Sequence, residues 1–536
     1  MYIWCKNTAY RAYKHARMGQ FDSSSIRLHT GLNMMTACQI LLRDHDTPFE
    51  ITGVSLEGNS EGVDTKFFYQ DFIVFDDELL YPDLLCEKES VHVPRNVTQG
   101  IYLVFRVLDA GEGTRRFTCT VNTSLGDFKA HITLAIHQTR LSEPKDAALQ
   151  YEYFANFYGN LKRTKGMTEA PMTPYYDFDA YTPQWWKLMK SYAEYFKLFR
   201  INTLYVPLME LLQDAGSRRI SKTKWKLDFS LFDELVGFFL ENGSFSRIAI
   251  PHLIKPLAGN TVSVLDEVGE LHTAELKKDE DARLWLEAVY TAIYEHFSEK
   301  GWLSLLQMHV QDEPHQTEYW LWAREIMKRC MPGVLACEPI DTAGIGEGLG
   351  DALDIPIPRF EVYEADKTYY DKQIESGRTL WSYSCCFPEE PWWLNKFLDL
   401  PPHYSCMLYW ACFSQGFTGY LHWGFNQWET GDPLYCGKSS RFKGDPFVVW
   451  PDVEKGSILP TVRAITSIEG AQDYELLYQL SKVDKTVAKN ISCRVARTFR
   501  EFAENPLVLE NAREEILTLL DGWHSCQSAE YKEKHV

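Results

Sequence analysis

The stretch Leu305-Leu-Gln-Met-His-Val-Gln-Asp-Glu-Pro314 joins a short apolar run to two adjacent carboxylates and a proline. A helical pattern precedes this run, so we predict that the run is a β-strand and that Asp312 and Glu313 begin the following loop. Barrel enzymes carry their catalytic groups in such loops, at the carboxyl ends of parallel strands. The stretch therefore favours an α/β barrel with a functional site at this strand end. The structural alternative is that Asp312 only caps a helix.

Helix and strand patterns alternate on both sides of this stretch. Thr182 followed by Pro183 predicts a helix start, and Ser230 with Asp233 resembles the capping box of the next helix. Besides the run before Asp312, strands are predicted at Ile201–Val206, Arg247–Leu253, Val334–Cys337, Leu353–Ile357, Arg378–Tyr383 and Thr418–Trp423, with an eighth near Tyr151–Tyr158. This repetition favours a closed (β/α)8 TIM-type barrel over an open sheet.

The N-terminal part of the chain has a different pattern. Short β-branched and aromatic segments, such as Gly100–Val107, alternate there with turn-forming residues. We predict an N-terminal β-sandwich over residues 1–145, a barrel over 150–480, and a helical segment over 481–536 that packs on the barrel. The fold class is therefore multidomain, β plus α/β.

Composition limits the classes of function. The chain has 536 residues and a net charge of −19, which argues against a nucleic-acid partner because binding phosphates needs basic surface. No run of about 18 apolar residues and no signal peptide is visible, so we expect no membrane span and a cytoplasmic location. The thirteen cysteines form no CxxC pairs, and no motif indicates a metal or another cofactor. Self-association into a homo-oligomer stays open.

The adjacent carboxylates indicate a kind of chemistry. Two such groups cannot both ionise freely, because repulsion raises the pKa of one of them. The result is a proton donor beside an anion, which is the arrangement that glycoside cleavage requires. The 16 tryptophans are compatible with this chemistry, since indole faces commonly stack on sugar rings.

Several polar and aromatic residues at or beyond predicted strand ends are candidate substrate contacts. They are His252, Trp381, Tyr383, Trp392, Trp393, Asn395, His422, Trp423 and Asn426. For His252 the alternative is a hydrogen-bonded core histidine, and for Trp392 or Trp393 it is packing in the core. If the barrel forms, these side chains share its carboxyl-terminal mouth with the carboxylate pair.

Four ordered motifs resemble those of the DUF4091 proteins, which are related to glycoside hydrolase family 123. The motifs are Gln311-Asp-Glu-Pro314, Trp381-Ser-Tyr-Ser-Cys-Cys-Phe-Pro388, Gly419-Tyr-Leu-His-Trp-Gly-Phe-Asn426 and the segment Arg463–Tyr474. The resemblance covers roughly residues 150–480. It implies a β-sandwich followed by a (β/α)8 barrel, and a retaining exo-glycosidase that removes terminal β-linked N-acetylhexosamine, in particular N-acetylgalactosamine, from a glycan or glycoside. It also implies substrate-assisted catalysis, with Glu313 as general acid/base and Asp312 orienting the 2-acetamido group.

Two alternatives to this function remain. The first is a non-catalytic carbohydrate-binding protein on the same scaffold. The second is a two-carboxylate glycosidase with another sugar specificity, in which Glu313 is the acid and a distant Asp or Glu is the nucleophile. The segment Glu469-Gly-Ala-Gln-Asp473 departs from the related proteins, which place the two acidic residues side by side, and this leaves the identity of the sugar open.

Overall fold

A computed structural model describes residues 1–75, 79–158, 175–255, 260–428, 435–436 and 443–534. These residues form an N-terminal β-rich region followed by an eight-stranded parallel barrel and several C-terminal helices. Among the described helices, none has the length and apolar character that crossing a bilayer would need.

The N-terminal region contains two sheets. Its strands are β1 Tyr2–Asn7, β2 Ser25–Leu32, β3 Met34–Arg43, β4 Phe49–Gly58, β5 Val63–Phe75, β6 Leu79–Cys86, β7 Val91–Val93, β8 Thr98–Val107, β9 Gly113–Thr123 and β10 Gly126–Arg140. One sheet has the order β1-β3-β8-β5 with β6 added to β5, and the other has the order β2-β10-β9-β4-β7. Every residue of β3 is buried, and the strand lies inside its sheet with a partner on each side. A β-rich N-terminal region is thus confirmed, and the sandwich arrangement of the two sheets stays a prediction.

The remaining strands begin at residue 150. They are β11 Gln150–Tyr153, β12 Thr203–Tyr205, β13 Arg218–Ser221, β14 Lys224–Lys226, β15 Arg247–Ile250, β16 Ile254–Lys255, β17 Thr261–Leu265, β18 Leu271–Glu275, β19 Leu306–His309, β20 Leu335–Ile340, β21 Ile355–Pro358, β22 Trp381–Tyr383, β23 Gly419–His422, β24 Tyr435–Cys436, β25 Val449–Asp452 and β26 Ser457–Pro460. Eight of them pair in parallel in the order β22-β23-β11-β12-β15-β19-β20-β21, so that β21 and β22 are the two ends of the sheet. A single bridge between Arg359 and Tyr383 joins β21 to β22 and nearly closes the barrel.

Helices connect the barrel strands and follow the last of them. They are α1 Pro183–Phe199, α2 Leu208–Asp214, α3 Ser230–Asn242, α4 Glu280–Glu299, α5 Thr317–Cys330, α6 Ile345–Leu349, α7 Phe360–Ala365, α8 Lys367–Glu375, α9 Tyr404–Gln415, α10 Val462–Val483, α11 Lys485–Val495 and α12 Leu507–Lys534. The predicted start of α1 is confirmed, because the Thr182 side chain accepts a hydrogen bond from the backbone of Trp185. The predicted capping box of α3 is wrong: Ser230 is the first helical residue, and its N–H donates to the side chain of Asp228.

Each predicted barrel strand is present, although its limits differ. The strand expected near Tyr151–Tyr158 ends at Tyr153 and is the first strand of the barrel. It ends early because the side chain of Asn426, and not a neighbouring strand, accepts a hydrogen bond from the backbone N–H of Asn156 at 2.8 Å. The strand that leads to the carboxylates is β19, the fourth in the barrel.

Helix α10 connects the barrel to the N-terminal region. Its Arg463 forms a fully buried ion pair with Asp83 of β6, with 2.9 Å between Nη2 and Oδ2. Its Gln472 side chain accepts from the backbone N–H of Met35 and donates to the Met35 carbonyl. Helix α12 contacts α10 as well as β2 and β10, so it packs on the N-terminal region too. The domain limits at residues 145–150 and 480–481 stay predictions.

Candidate active site

The carboxylate pair lies three and four residues beyond the end of β19, at the carboxyl-terminal mouth of the barrel. The backbone that leads to it is held by the buried Glu338 of β20. The Oε2 atom of Glu338 accepts from the N–H groups of Val310 at 2.9 Å and Gln311 at 3.1 Å, and from the indole of Trp320 at 2.8 Å. A fully buried carboxylate with three donors is a rigid support, so the start of the loop has one defined position.

Glu313 has an unusual backbone conformation. Its φ angle is +43°, in the left-handed region that residues other than glycine rarely adopt. Pro314 follows it, and a residue before proline normally prefers an extended conformation. Strain of this kind persists where the surroundings fix the residue, and it is concentrated at functional sites. The backbone therefore aims the Glu313 side chain at a specific partner.

That partner is Tyr383 at the end of β22. The hydroxyl of Tyr383 donates to Oε1 of Glu313 at 2.6 Å. Burial and the neighbouring Asp312 carboxylate raise the pKa of Glu313 to about 7, while the Tyr383 hydroxyl opposes this rise by stabilising the carboxylate. Glu313 can therefore hold a proton near neutral pH, and it sits beside a second carboxyl group.

Charged residues just after two neighbouring strands also shift the pKa of Glu313. Asp341, just after β20, raises the pKa of Glu313, and Arg359, just after β21, lowers it. The guanidinium of Arg359 is paired with Glu361 at 2.6 Å and lies 3.3 Å from the Asp341 carbonyl oxygen. Carboxylates thus outnumber cations around Glu313, in keeping with its raised pKa.

A second polar group lies inside the barrel, formed by Glu152 of β11 with His309 and Gln307 of β19. The Oε1 atom of Glu152 lies 3.0 Å from Nε2 of His309, and its Oε2 atom accepts from the Gln307 side chain at 3.1 Å. Burial alone would lower the pKa of His309, but Cys337 and Glu152 raise it well above its ordinary value. Glu152 and His309 therefore form a buried ion pair beneath the site.

An aromatic pair adjoins this ion pair. The rings of Phe154 and Tyr205 are stacked with centroids 4.1 Å apart, and both present an edge or face to His309 within 6.0 Å. Both side chains are half-buried, and burial together with the nearby Asp312 carboxylate raises the pKa of Tyr205. The pair thus forms part of the inner wall next to the carboxylates.

Trp423 and His422 share one buried acceptor. Asp445 accepts from Nε2 of His422 at 2.9 Å and from the indole N–H of Trp423 at 2.5 Å. Burial lowers the pKa of His422, whose Nδ1 atom accepts from the backbone N–H of Gly424. His422 is therefore a neutral side chain that positions the loop, and Trp423 is held half-buried at the mouth, next to the apolar cluster that contains Tyr383.

Three of the other predicted substrate contacts are buried in the wall of the site. Trp381, Asn395 and Asn426 are almost completely buried, as is His422. Asn395 donates to the carbonyls of Cys385 and Pro388, and Asn426 donates to the Asn156 carbonyl and the Tyr192 hydroxyl. A role in supporting the wall fits these placements better than direct contact with a ligand.

Three further candidates lie on loops. His252 is half-buried between β15 and β16, two residues before Ile254, which forms a bridge with Gln311. Trp393 is buried and carries the guanidinium of Arg500 over its ring at 5.1 Å. Trp392 is 55% exposed. The structure thus places His252 beside the loop of the carboxylate pair and leaves the Trp392 side chain accessible.

Five residues of this site were not predicted from the sequence. They are Glu152, Glu338, Asp341, Arg359 and Asp445. Glu152 had a usable signal, because a charged residue within a predicted buried strand needs a partner there. Glu338 lies one residue beyond the predicted strand Val334–Cys337 and was therefore not recognised as part of it. Asp445 had no such signal, since it lies in a distant loop that returns to the barrel only in three dimensions.

Comparisons with known proteins place this geometry in a family. The model of the catalytic domain of glycoside hydrolase 123 matches residues 169–480, more than half of the chain. No curated protein matches the chain.

Among solved structures, a family 123 glycoside hydrolase from Clostridium perfringens, described for glycolipid glycan hydrolysis, is similar over 98% of this chain and 99% of its own, with a TM-score of 0.77 and 13% identity. A GH10 xylanase with a bacterial Ig-like domain from termite gut is similar over 84% of this chain and 99% of its own, with a TM-score of 0.35 and 8% identity. The first of these supports the fold of a β-rich region followed by a barrel.

Proposed function

The chain belongs to glycoside hydrolase family 123, and from this premise we propose that it is a retaining exo-glycosidase that releases terminal β-linked N-acetylhexosamine, in the manner of a β-N-acetylgalactosaminidase. The similar Clostridium perfringens enzyme is described for glycolipid glycan hydrolysis, and we propose a glycan of that class as the substrate. One observation carries the proposal: Glu313, with a pKa raised to about 7, directly follows a second carboxyl residue at the mouth of the barrel.

The proposed first step uses the substrate as its own nucleophile. The oxygen of the 2-acetamido group attacks the anomeric carbon while Glu313 donates its proton to the departing oxygen. The bond to the leaving group breaks, and a cyclic oxazolinium forms. Asp312 holds the acetamido N–H in this proposal and stabilises the positive charge that develops on this group.

In the second step, water opens the ring. Glu313, now a carboxylate, removes a proton from the water as it attacks the anomeric carbon. Two inversions at this carbon give net retention. The raised pKa of Glu313 serves both steps, because the same group must give and take a proton near neutral pH.

The predicted substrate contacts have different proposed roles. We propose that the sugar site is lined by Tyr383, Trp423 and His252 and that Trp392 lies at its outer edge. The walls of the site are held by Trp381, Trp393, Asn395, His422 and Asn426.

The experiment that tests this function compares two aryl β-glycosides that differ only at carbon 2 of the sugar, one with an acetamido group and one with a hydroxyl. The purified protein should hydrolyse the acetamido substrate and leave the other almost untouched. Absence of hydrolysis of every glycoside, with binding retained, would instead favour a carbohydrate-binding protein.

The raised pKa of Glu313 gives a second testable result. Catalysis requires protonated Glu313, so kcat/KM should fall as the pH rises above about 7. The Tyr383 hydroxyl stabilises the carboxylate, and therefore Tyr383→Phe should raise the pKa of Glu313 further and move this basic limb to higher pH. A pH profile of kcat/KM measures the shift.

The matched control for this variant is Tyr420→Phe. Tyr420 is also a buried barrel tyrosine, but its hydroxyl bonds to Ser384 and not to a carboxylate. The Tyr420→Phe variant should therefore keep the basic limb of the pH profile of kcat/KM at its wild-type position. A limb that stays unchanged in Tyr383→Phe, or moves to lower pH, would contradict the assigned role of the hydrogen bond.

A further inference from the structure

An aromatic side chain at the mouth of the barrel has no part in the reaction described above. Phe387 lies four residues beyond β22, and 43% of its side chain is exposed. The guanidinium carbon of Arg359 lies over its ring, 5.2 Å from the centroid. The same loop also exposes Trp392, so two large aromatic side chains are accessible next to the carboxylate pair and are candidates for binding a ligand.

Two contacts connect Phe387 to the carboxylate pair. The backbone of Arg359 forms a bridge with that of Tyr383, and the hydroxyl of Tyr383 donates to Glu313. Phe387 contacts Arg359 through its ring. The exposed fraction rises along these contacts, from 3% for Tyr383 to 15% for the Arg359 side chain and 43% for Phe387, so they lead from the buried Glu313 partner to the surface.

The position of Glu313 determines which part of the substrate lies near Phe387. Glu313 must reach the oxygen of the bond that breaks, so the group that departs lies next to Glu313 and not next to Asp312. Side chains that continue outward from Glu313 then face the departing group. Tyr383, Arg359 and Phe387 follow one another toward the surface, as their increasing exposure shows.

We propose that Phe387 and Arg359 form the binding subsite for the departing sugar, an assignment that rests on the proposed function. The apolar face of a pyranose stacks on the exposed part of the Phe387 ring, and the guanidinium N–H groups of Arg359 donate to its hydroxyls. Phe387 thereby raises kcat/KM for a glycan relative to a glycoside with a small leaving group.

The charges around this subsite define the class of sugar. The Arg359 cation is paired with Glu361 at 2.6 Å, and Glu389 and Glu390 are exposed on the same loop as Phe387. The local charge is therefore not positive. A neutral hexose fits this surface, whereas a sugar with a carboxylate or sulfate group would be repelled.

The test compares two substrates with the same N-acetylhexosamine and different departing groups. One is a disaccharide with a neutral hexose in the departing position, and the other is the β-fluoride, whose single-atom leaving group cannot reach Phe387. Phe387→Ala should lower kcat/KM for the disaccharide about tenfold and change it less than about twofold for the fluoride. Phe387→Tyr, which keeps the ring, should retain most of the activity on both.

The control variant is Phe21→Ala, because Phe21 is 93% exposed in the N-terminal region and should affect neither substrate. An equal loss on both substrates in Phe387→Ala, or no loss on the disaccharide, would overturn the subsite while leaving the proposed function intact. A wild-type protein that hydrolyses neither substrate would instead refute the proposed function, and the subsite with it.

Discussion

Replacing Glu313 by glutamine should lower kcat/KM by about 10³-fold for substrates with poor leaving groups, such as a disaccharide, because no proton can be donated to the departing oxygen. An aryl glycoside with a strongly acidic phenol departs without protonation, so the first step of its hydrolysis should be nearly unaffected. A plot of log kcat/KM against the pKa of the leaving group should therefore be much steeper in the variant than in the wild type.

The same variant should lose its pH dependence near neutrality. Glu313 has a pKa of about 7, and its deprotonation accounts for the loss of activity above that pH. Without a titrating group at this position, the basic limb should flatten. Glu347→Gln removes an exposed carboxylate of α6 and is the control, expected to change neither the slope of that plot nor the pH dependence. A loss in Glu313→Gln that is equal for all leaving groups would show that Glu313 is not the acid.

Replacing Asp312 by asparagine should lower kcat/KM by about 10²-fold to 10³-fold for good and poor leaving groups alike. The positive charge on the acetamido group develops in every case, and an amide stabilises it less than a carboxylate does. Loss of this neighbouring charge should also lower the pKa of Glu313, so the basic limb should move to lower pH. Kinetics on a leaving-group series and pH profiles measure both effects.

Asp341→Asn separates these two effects of Asp312. The Asp341 carboxylate also raises the pKa of Glu313, but it lies beyond another strand and has no assigned contact with the substrate. This variant should move the basic limb in the same direction with little loss of rate. If Asp312→Asn behaved in the same way, Asp312 would be only an electrostatic neighbour and not the residue that orients the acetamido group.

The barrel and the position of the carboxylate pair were predictable because they depend on local patterns. Apolar runs that end in polar residues mark the ends of β15, β19, β22 and β23 directly in the sequence. Parallel pairing then brings these ends to one mouth, so Tyr383 could be grouped with Glu313 without knowledge of their distance.

Residues that act across strands were not predictable in this way. Glu338 holds the backbone of Gln311 from the neighbouring strand, and Asp445 orients Trp423 from a loop more than twenty residues away. Periodicity indicates which face a residue occupies, but it does not identify the partner on that face. His422 and Asn426 were expected at the sugar for this reason, although their polar atoms bind Asp445 and Asn156 within the protein.

The central claim is that the substrate supplies the nucleophile, and the ratio of kcat/KM for the two aryl β-glycosides that differ only at carbon 2 tests it most directly. An acetamido group held against the anomeric carbon has a large advantage over an external nucleophile, so the acetamido substrate should be favoured by about 10³-fold or more. Comparable rates on the 2-hydroxyl glycoside, or a trapped glycosyl ester on an enzyme carboxylate, would contradict the claim and point to a separate nucleophilic Asp or Glu.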